Sequence, residues 1–185
     1  MLPEISPTPM MWAMLIIVVL ILLFFIFRYI SKRLEEIFRP FKKGKRYWCK
    51  IIAVSDGDTV TCKRLNLRGS KTRICLAYID APESSQAYGR ETQQMVVKLV
   101  QMKIVRIHIV DTDRYGRHVG EIHRRGRSIN EELIKRGGAW VYEEYIKDKQ
   151  KLAYLNKLQQ EAKSKKKGLW QQSRPVRPSV YRRSN

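Results

Sequence analysis

Acidic residues are scarce: the 185-residue chain has 17 Asp and Glu against 37 Lys and Arg, a formal net charge of +20. So one-sided a balance in so short a chain makes a merely soluble surface the weaker account. It points to a polyanionic partner, with nucleic acid and anionic lipid as the two candidates. Cysteine is rare as well. Cys49, Cys62 and Cys75 stand thirteen residues apart each time, in strand-like runs. An odd count argues against a complete disulfide framework, and no pair has the close spacing of a zinc site. They read as small buried core residues in a reducing compartment. No internal repeat is visible, and the length leaves room for one modest domain plus an appendage.

Charge is missing altogether from Met10 to Phe27, where Met, Leu, Ile, Val, Ala and Phe surround a single interfacial residue, Trp12. Helical rise makes that run roughly 27 Å long, and Tyr29 and Ile30 carry it to the full hydrocarbon thickness. Residues 10–30 therefore read as a transmembrane helix in contact with a lipid bilayer, after a short N-terminal segment, 1–9. The rival is a cleavable signal peptide. Against it, Met1 to Pro9 contain no Lys or Arg, and Arg28-Tyr29-Ile30-Ser31-Lys32 offers no small-residue cleavage site. Glu4 and the terminal amine lie upstream, whereas Arg28, Lys32, Arg33, Arg39, Lys42, Lys43, Lys45 and Arg46 lie downstream. By the positive-inside rule the C-terminal part is then cytoplasmic. Residues 31–46 read as a basic juxtamembrane linker suited to anionic lipid. In it Ser31 to Arg39 extend as a short helix, with Leu34, Ile37 and Phe38 on one side and Pro40 as its stop.

Residues 47–170 read as one α+β domain. Strand-like runs cover Trp48 to Val54, Thr59 to Arg64, Ile74 to Ile79, Ile104 to Val110 and Arg117 to His123. Met95, Val96, Leu99 and Val100 give Tyr88 to Gln101 a helical period. Ser128-Ile129-Asn130-Glu131 is a capping box opening a helix that Gly137-Gly138 closes. A last helix from about Lys147 to Lys167 turns Leu152, Leu155, Leu158 and Ala162 inward, with Gly168 as its stop and Leu169-Trp170 folding back. The architecture expected is an OB-like five-stranded β-barrel with three helices, preceded by a single N-terminal transmembrane helix. The Arg-, Ser- and Pro-rich tail, 171–185, reads as disordered.

In so basic a chain two acidic turns stand out, Asp56-Gly57-Asp58-Thr59 between the first two strands and Asp80-Ala81-Pro82-Glu83 after the third. Each has a plain structural reading, since Asp-Gly is the commonest hairpin pair and an Asp before a loop proline caps local backbone. If the strands pair, however, Asp58 and Asp80 converge on one hard cation. A third motif, Asp113-Arg114-Tyr115-Gly116-Arg117, tips the balance. In this order the three resemble the thermonuclease family of staphylococcal-type nucleases, from about Trp48 to Trp170.

The resemblance implies a calcium ion, or another divalent cation, held by Asp58, Asp80 and the carbonyl of Ala81. It makes Glu83 the residue that orients or deprotonates water and Arg117 the one that steadies charge on phosphorus. Arg114 and Tyr115 match positions gripping a neighbouring phosphate, and Tyr142 or Tyr145 would stack a base. It also exposes a departure: the family has a second arginine where this chain has Cys75. Arg73 shares that strand face but lies one pleat period, roughly 6.6 Å, further off unless a bulge brings it in. The activity implied is endonucleolytic hydrolysis of DNA and RNA with low sequence specificity, weakened by Cys75. The alternative is a non-catalytic nucleic-acid-binding OB-type module on a membrane tether. No protein partner is inferable.

Overall fold

The computed structural model describes residues 9–38, 41–65, 69 and 71–184. The chain divides into two compact units, Met1–Pro40 and Phe41–Asn185. The first contains one helix, α1 (Pro9–Phe38). Within it Pro9–Ser31 is long and apolar enough to cross a membrane, with mean hydropathy 3.1 and no part of it buried. The helix continues into the stretch read as linker, as far as Phe38; Pro40 as its stop, and the side chains of Ile37 and Phe38, lie outside the described residues.

The second unit begins six residues before the expected boundary, because Phe41 is already a core residue stacked edge-on against Tyr47 at 4.8 Å and His118 at 5.5 Å. Its strands are β1 (Arg46–Val54), β2 (Thr59–Arg64), β3 (Lys71–Leu76), β4 (Ile79–Asp80), β5 (Ile104–Thr112), β6 (His118–Arg124), β7 (Arg127–Ser128) and β8 (Trp140–Val141). β3, β2, β1, β5 and β6 pair in that order, and a parallel β3–β6 pairing closes them into a five-stranded barrel. Register shifts at Ile51/Ala53 and Ile109/Asp111 bend the strands around it. Closure needs Gly120, since a Cβ there would lie 2.8 Å from the Ile107 side chain and 3.0 Å from that of Ile74. Ile51, Val60, Ile74, Val105, Ile107, Ile109 and Ile122 fill the interior.

Helices α2 (Gly89–Val100), α3 (Ile129–Lys135) and α4 (Lys149–Ser164) follow the expected pattern. Ser128 caps α3 by accepting from the Glu131 amide, and Asp148 caps α4 by accepting from Gln150 and Lys151. Leu155, Leu158 and Ala162 of α4 are buried, and beyond Gly168 the Trp170 ring meets Trp140 at 4.3 Å.

Two expectations need correcting. The third strand does not run unbroken to Ile79. It breaks at Tyr78, whose φ is 69°, and resumes as β4, which pairs with β8 rather than with the barrel. The tail also carries a fourth helix after α1, α5 (Pro178–Ser184), where disorder was expected. Proline at its first position supplies the helical φ, and contacts with the region around Asp80 hold it in place.

Candidate active site

The two acidic turns meet at one end of the barrel. In the first, Ser55 and Asp56 donate their amides to the Thr59 carbonyl at 2.9 and 3.3 Å. The Leu76 amide donates to the Asp58 carbonyl at 2.7 Å, which ties the turn to the end of β3. Gly57 lets it seat closely: a Cβ there would stand 2.6 Å from the Thr92 methyl and 2.8 Å from the Ala81 Cβ. The second turn is delivered by the Tyr78 break and the β4–β8 pairing, which leave Asp80 and Ala81 buried and Glu83 half-buried.

The carboxylates act on one another. Burial raises Asp58 to about 6; the Thr59 hydroxyl opposes this by donating to its Oδ1 at 2.9 Å, and Asp80, Glu83 and Asp56 add to it. Asp80 is raised by burial and by Glu83, against hydrogen bonds from Arg182 and the Ser179 amide. Hard oxygens in mutual repulsion are a donor set that fits a hard cation. Among the described residues no three or more His, Cys, Asp or Glu side chains group as metal ligands. A cation here would therefore rest on two carboxylates and the Ala81 carbonyl.

Arg117 enters from the turn before β6. Asp113 holds it by accepting from its amide at 2.8 Å and its Nε at 2.6 Å, and accepts the Tyr115 amide at 2.9 Å. The ring of Tyr115, 68% exposed, lies under Arg114 at 4.8 Å and Arg117 at 5.5 Å. The parallel β3–β6 pairing, with His118 opposite Ile74, sets Arg117 beside the strand on which Cys75 stands opposite Thr59, and Cys75 and Asp58 both favour its charged form. Tyr142 and Tyr145 pack edge to face at 4.5 Å, and burial, Tyr145 and then Asp80 raise the Tyr142 phenol.

Arg73 does not join them. The β2–β3 register is regular from Thr59 opposite Cys75 to Lys63 opposite Lys71, with Arg73 opposite Thr61, so no bulge draws it in. All three cysteines are free; Cys49 and Cys62 are buried, and Cys75 is partly so.

A family profile described as staphylococcal nuclease homologue matches residues 73–172. The chain belongs to that family. Among the curated relatives of this nuclease-family chain is an "Uncharacterized endonuclease" of Haemophilus influenzae, 39% identical over 73% of this chain and 72% of its own. Another protein of that name, from Escherichia coli O157:H7, is 39% identical over 72% of this chain and 83% of its own. The rice protein "Probable staphylococcal-like nuclease CAN1" is 42% identical over 61% of this chain, which spans only 33% of the rice protein's length.

Membership makes the chain a nuclease-class hydrolase. Two residues at the site went unassigned in the sequence. Asp113 stood inside a recognised motif with no role attached to it. Arg182 lies in the tail, beyond the matched segment; its guanidinium donates to Glu83 Oε1 at 2.6 Å and to Asp80 Oδ1 at 3.0 Å.

Proposed function

We propose that the chain is a membrane-anchored, calcium-dependent endonuclease hydrolysing phosphodiester bonds of DNA and RNA with low sequence specificity. The observation that carries this reading is the meeting of Asp58, Asp80 and Glu83 at one barrel end, across from a guanidinium already oriented by Asp113. Asp58, Asp80 and the Ala81 carbonyl would hold the ion. Calcium, when bound, supplies positive charge against a phosphate oxygen, and another divalent cation could take its place.

The chain's own groups account for the remaining work. Glu83 orients or deprotonates a water for attack on phosphorus, expelling the 5′ oxygen and leaving a 3′-phosphate end. Arg117 offers planar, paired N–H donors where charge grows on the phosphate oxygens. Arg114 and Tyr115 grip the neighbouring phosphate, and Tyr142 and Tyr145 give the next base a stacking surface.

The test uses the full chain in detergent with single-stranded DNA, duplex DNA and RNA. Calcium should produce fragments that disappear with chelator and with Glu83→Gln. Binding without cleavage would instead establish the non-catalytic module, the reading that Cys75 favours by leaving β3 without its arginine.

Residues 9–31 would anchor the enzyme in the bilayer, with the basic flank on anionic headgroups and the barrel in the cytoplasm. A reporter fused after Asn185 should be active on the cytoplasmic side; activity only outside overturns that orientation.

A further inference from the structure

We propose that Arg182, delivered by the tail helix, is the second phosphate-contacting guanidinium of this site; the proposal rests on the nuclease reading above. Asp80 and Glu83 disfavour the charge on Asp58, Asp58 in turn favours the charged form of Arg117, and a phosphodiester adds negative charge to that space. The strand that borders the acidic turns carries Cys75 next to its end at Leu76, and the regular register keeps Arg73 away. Arg182 is the guanidinium that, among the described residues, is bonded directly to Asp80 and Glu83.

The tail is seated by contacts that leave Arg182 out. Gln86 Nε2 donates to the Val176 carbonyl at 2.8 Å, and the Tyr181 hydroxyl donates to the Ser85 carbonyl and approaches its Oγ, both at 3.3 Å. Pro178 is buried, and Arg177 stacks over Trp140 at 4.9 Å. Arg182 therefore stays at the mouth of the site even if one of its own bonds is surrendered.

Donor counting favours a clamp over a plug. A guanidinium has five N–H donors, and the bonds to Glu83 and Asp80 use two. Of those partners only Asp80 belongs to the proposed cation set. If Asp80 Oδ1 were to hold a cation, the shorter bond to Glu83 would remain, and the one N–H freed from Asp80, with the three that make neither bond, would be available to a phosphate oxygen. Arg182 would then fix the water-orienting carboxylate and the phosphate together, a bridge that lysine, with its point charge, does not reproduce.

The experiment compares wild type with Arg182→Ala, Arg182→Lys, Arg183→Ala and Cys75→Arg/Arg182→Ala, each as the full chain in detergent. Cleavage of single-stranded DNA in calcium should fall roughly 100- to 1,000-fold in Arg182→Ala, the usual cost of one transition-state donor. Arg182→Lys should recover little, whereas Cys75→Arg should restore about tenfold or more in the Arg182→Ala background.

Two readouts need no turnover. Anisotropy with a hydrolysis-resistant phosphorothioate strand should show about tenfold weaker binding for Arg182→Ala, as for a lost bidentate phosphate contact. Titration with calcium alone should show affinity unchanged or tighter. Arg183→Ala, equal in charge change, should stay within about twofold in every assay, as expected for one screened surface cation.

Arg182→Ala cleaving as fast as wild type or faster, with tighter calcium binding, would make the tail a plug and overturn the proposal. A wild-type chain that never cleaves overturns the nuclease reading instead. The phosphorothioate arm then still decides the arginine, since undiminished affinity in Arg182→Ala would overturn its role as a phosphate contact.

Discussion

Two turns of chain bring an arginine to the same acidic cluster by opposite means. The Asp113–Arg117 turn is self-contained: a carboxylate four residues away in sequence fixes the guanidinium before any tertiary contact is made. The tail, 171–185, has no Asp or Glu of its own to hold Arg182. Arg182 is positioned by Glu83, Asp80, Ser85 and Gln86, all near the middle of the chain, through itself and its neighbours. The first arginine is preorganised by its own loop, and the second is only as well placed as the docking of the helix that carries it. An anchored cation costs no reorganisation when charge develops, so Arg117 is expected to carry at least as large a catalytic share as Arg182.

Arg117→Lys should therefore lower kcat roughly 100- to 1,000-fold with the barrel intact, because a point charge cannot replace the planar fork that Asp113 orients. A loss under tenfold would mean that the tail arginine carries the greater part.

Asp113→Asn sharpens the contrast by making Arg117 depend on the fold as Arg182 does. About tenfold is expected, within the range measured for residues that orient an active group, and salt should then inhibit more steeply as the released guanidinium becomes screened. Salt curves identical to wild type would show that the buttress does nothing for the charge it holds.

The smallest effect is on stability, and it concerns Asp58. In the metal-free protein Asp58 binds its proton more tightly folded, at about 6, than at its ordinary 3.8. Folding then takes up protons between those values, so stability falls as pH rises through that window and levels off above it. Asp58→Asn should stabilise the metal-free protein at pH 7 by up to about 3 kcal/mol, a shift of roughly two pKa units at about 1.4 kcal/mol each, and flatten the profile between about pH 4 and 6. It should also abolish calcium-dependent cleavage. Destabilisation in urea titrations would show that Asp58 serves the local turn through Thr59 instead.

The difference between the two arginines also explains what could be read in advance. Barrel strands and the helices α2 to α4 announce themselves through alternation, helical period and caps, which are short-range signals. The approach of Asp58 to Asp80 was legible because β2 and β3, near whose ends they stand, must pair, although Asp80 itself lies in β4 beyond the Tyr78 break.

The break at Tyr78 was not. It depends on a left-handed backbone in a bulky residue, and its cause is the pairing of β4 with β8 about sixty residues on. The tail helix was hidden for a related reason. At seven residues it is too short for propensity to speak, and its composition matches that of a disordered segment. Only its docking separates the two. Arg73 failed as a stand-in because a regular ladder conserves strand period, and nothing in the sequence announced a bulge that would have broken it.

The parallel pairing that seals β3 to β6 has a consequence beyond the site. Each of the five barrel strands has a hydrogen-bonded neighbour on both sides. A strongly cationic protein gathers in many copies along any polyanion, and crowding of that kind is where unpaired ladders recruit one another into fibrils. This barrel can be concentrated on a nucleic acid without offering its neighbours a template.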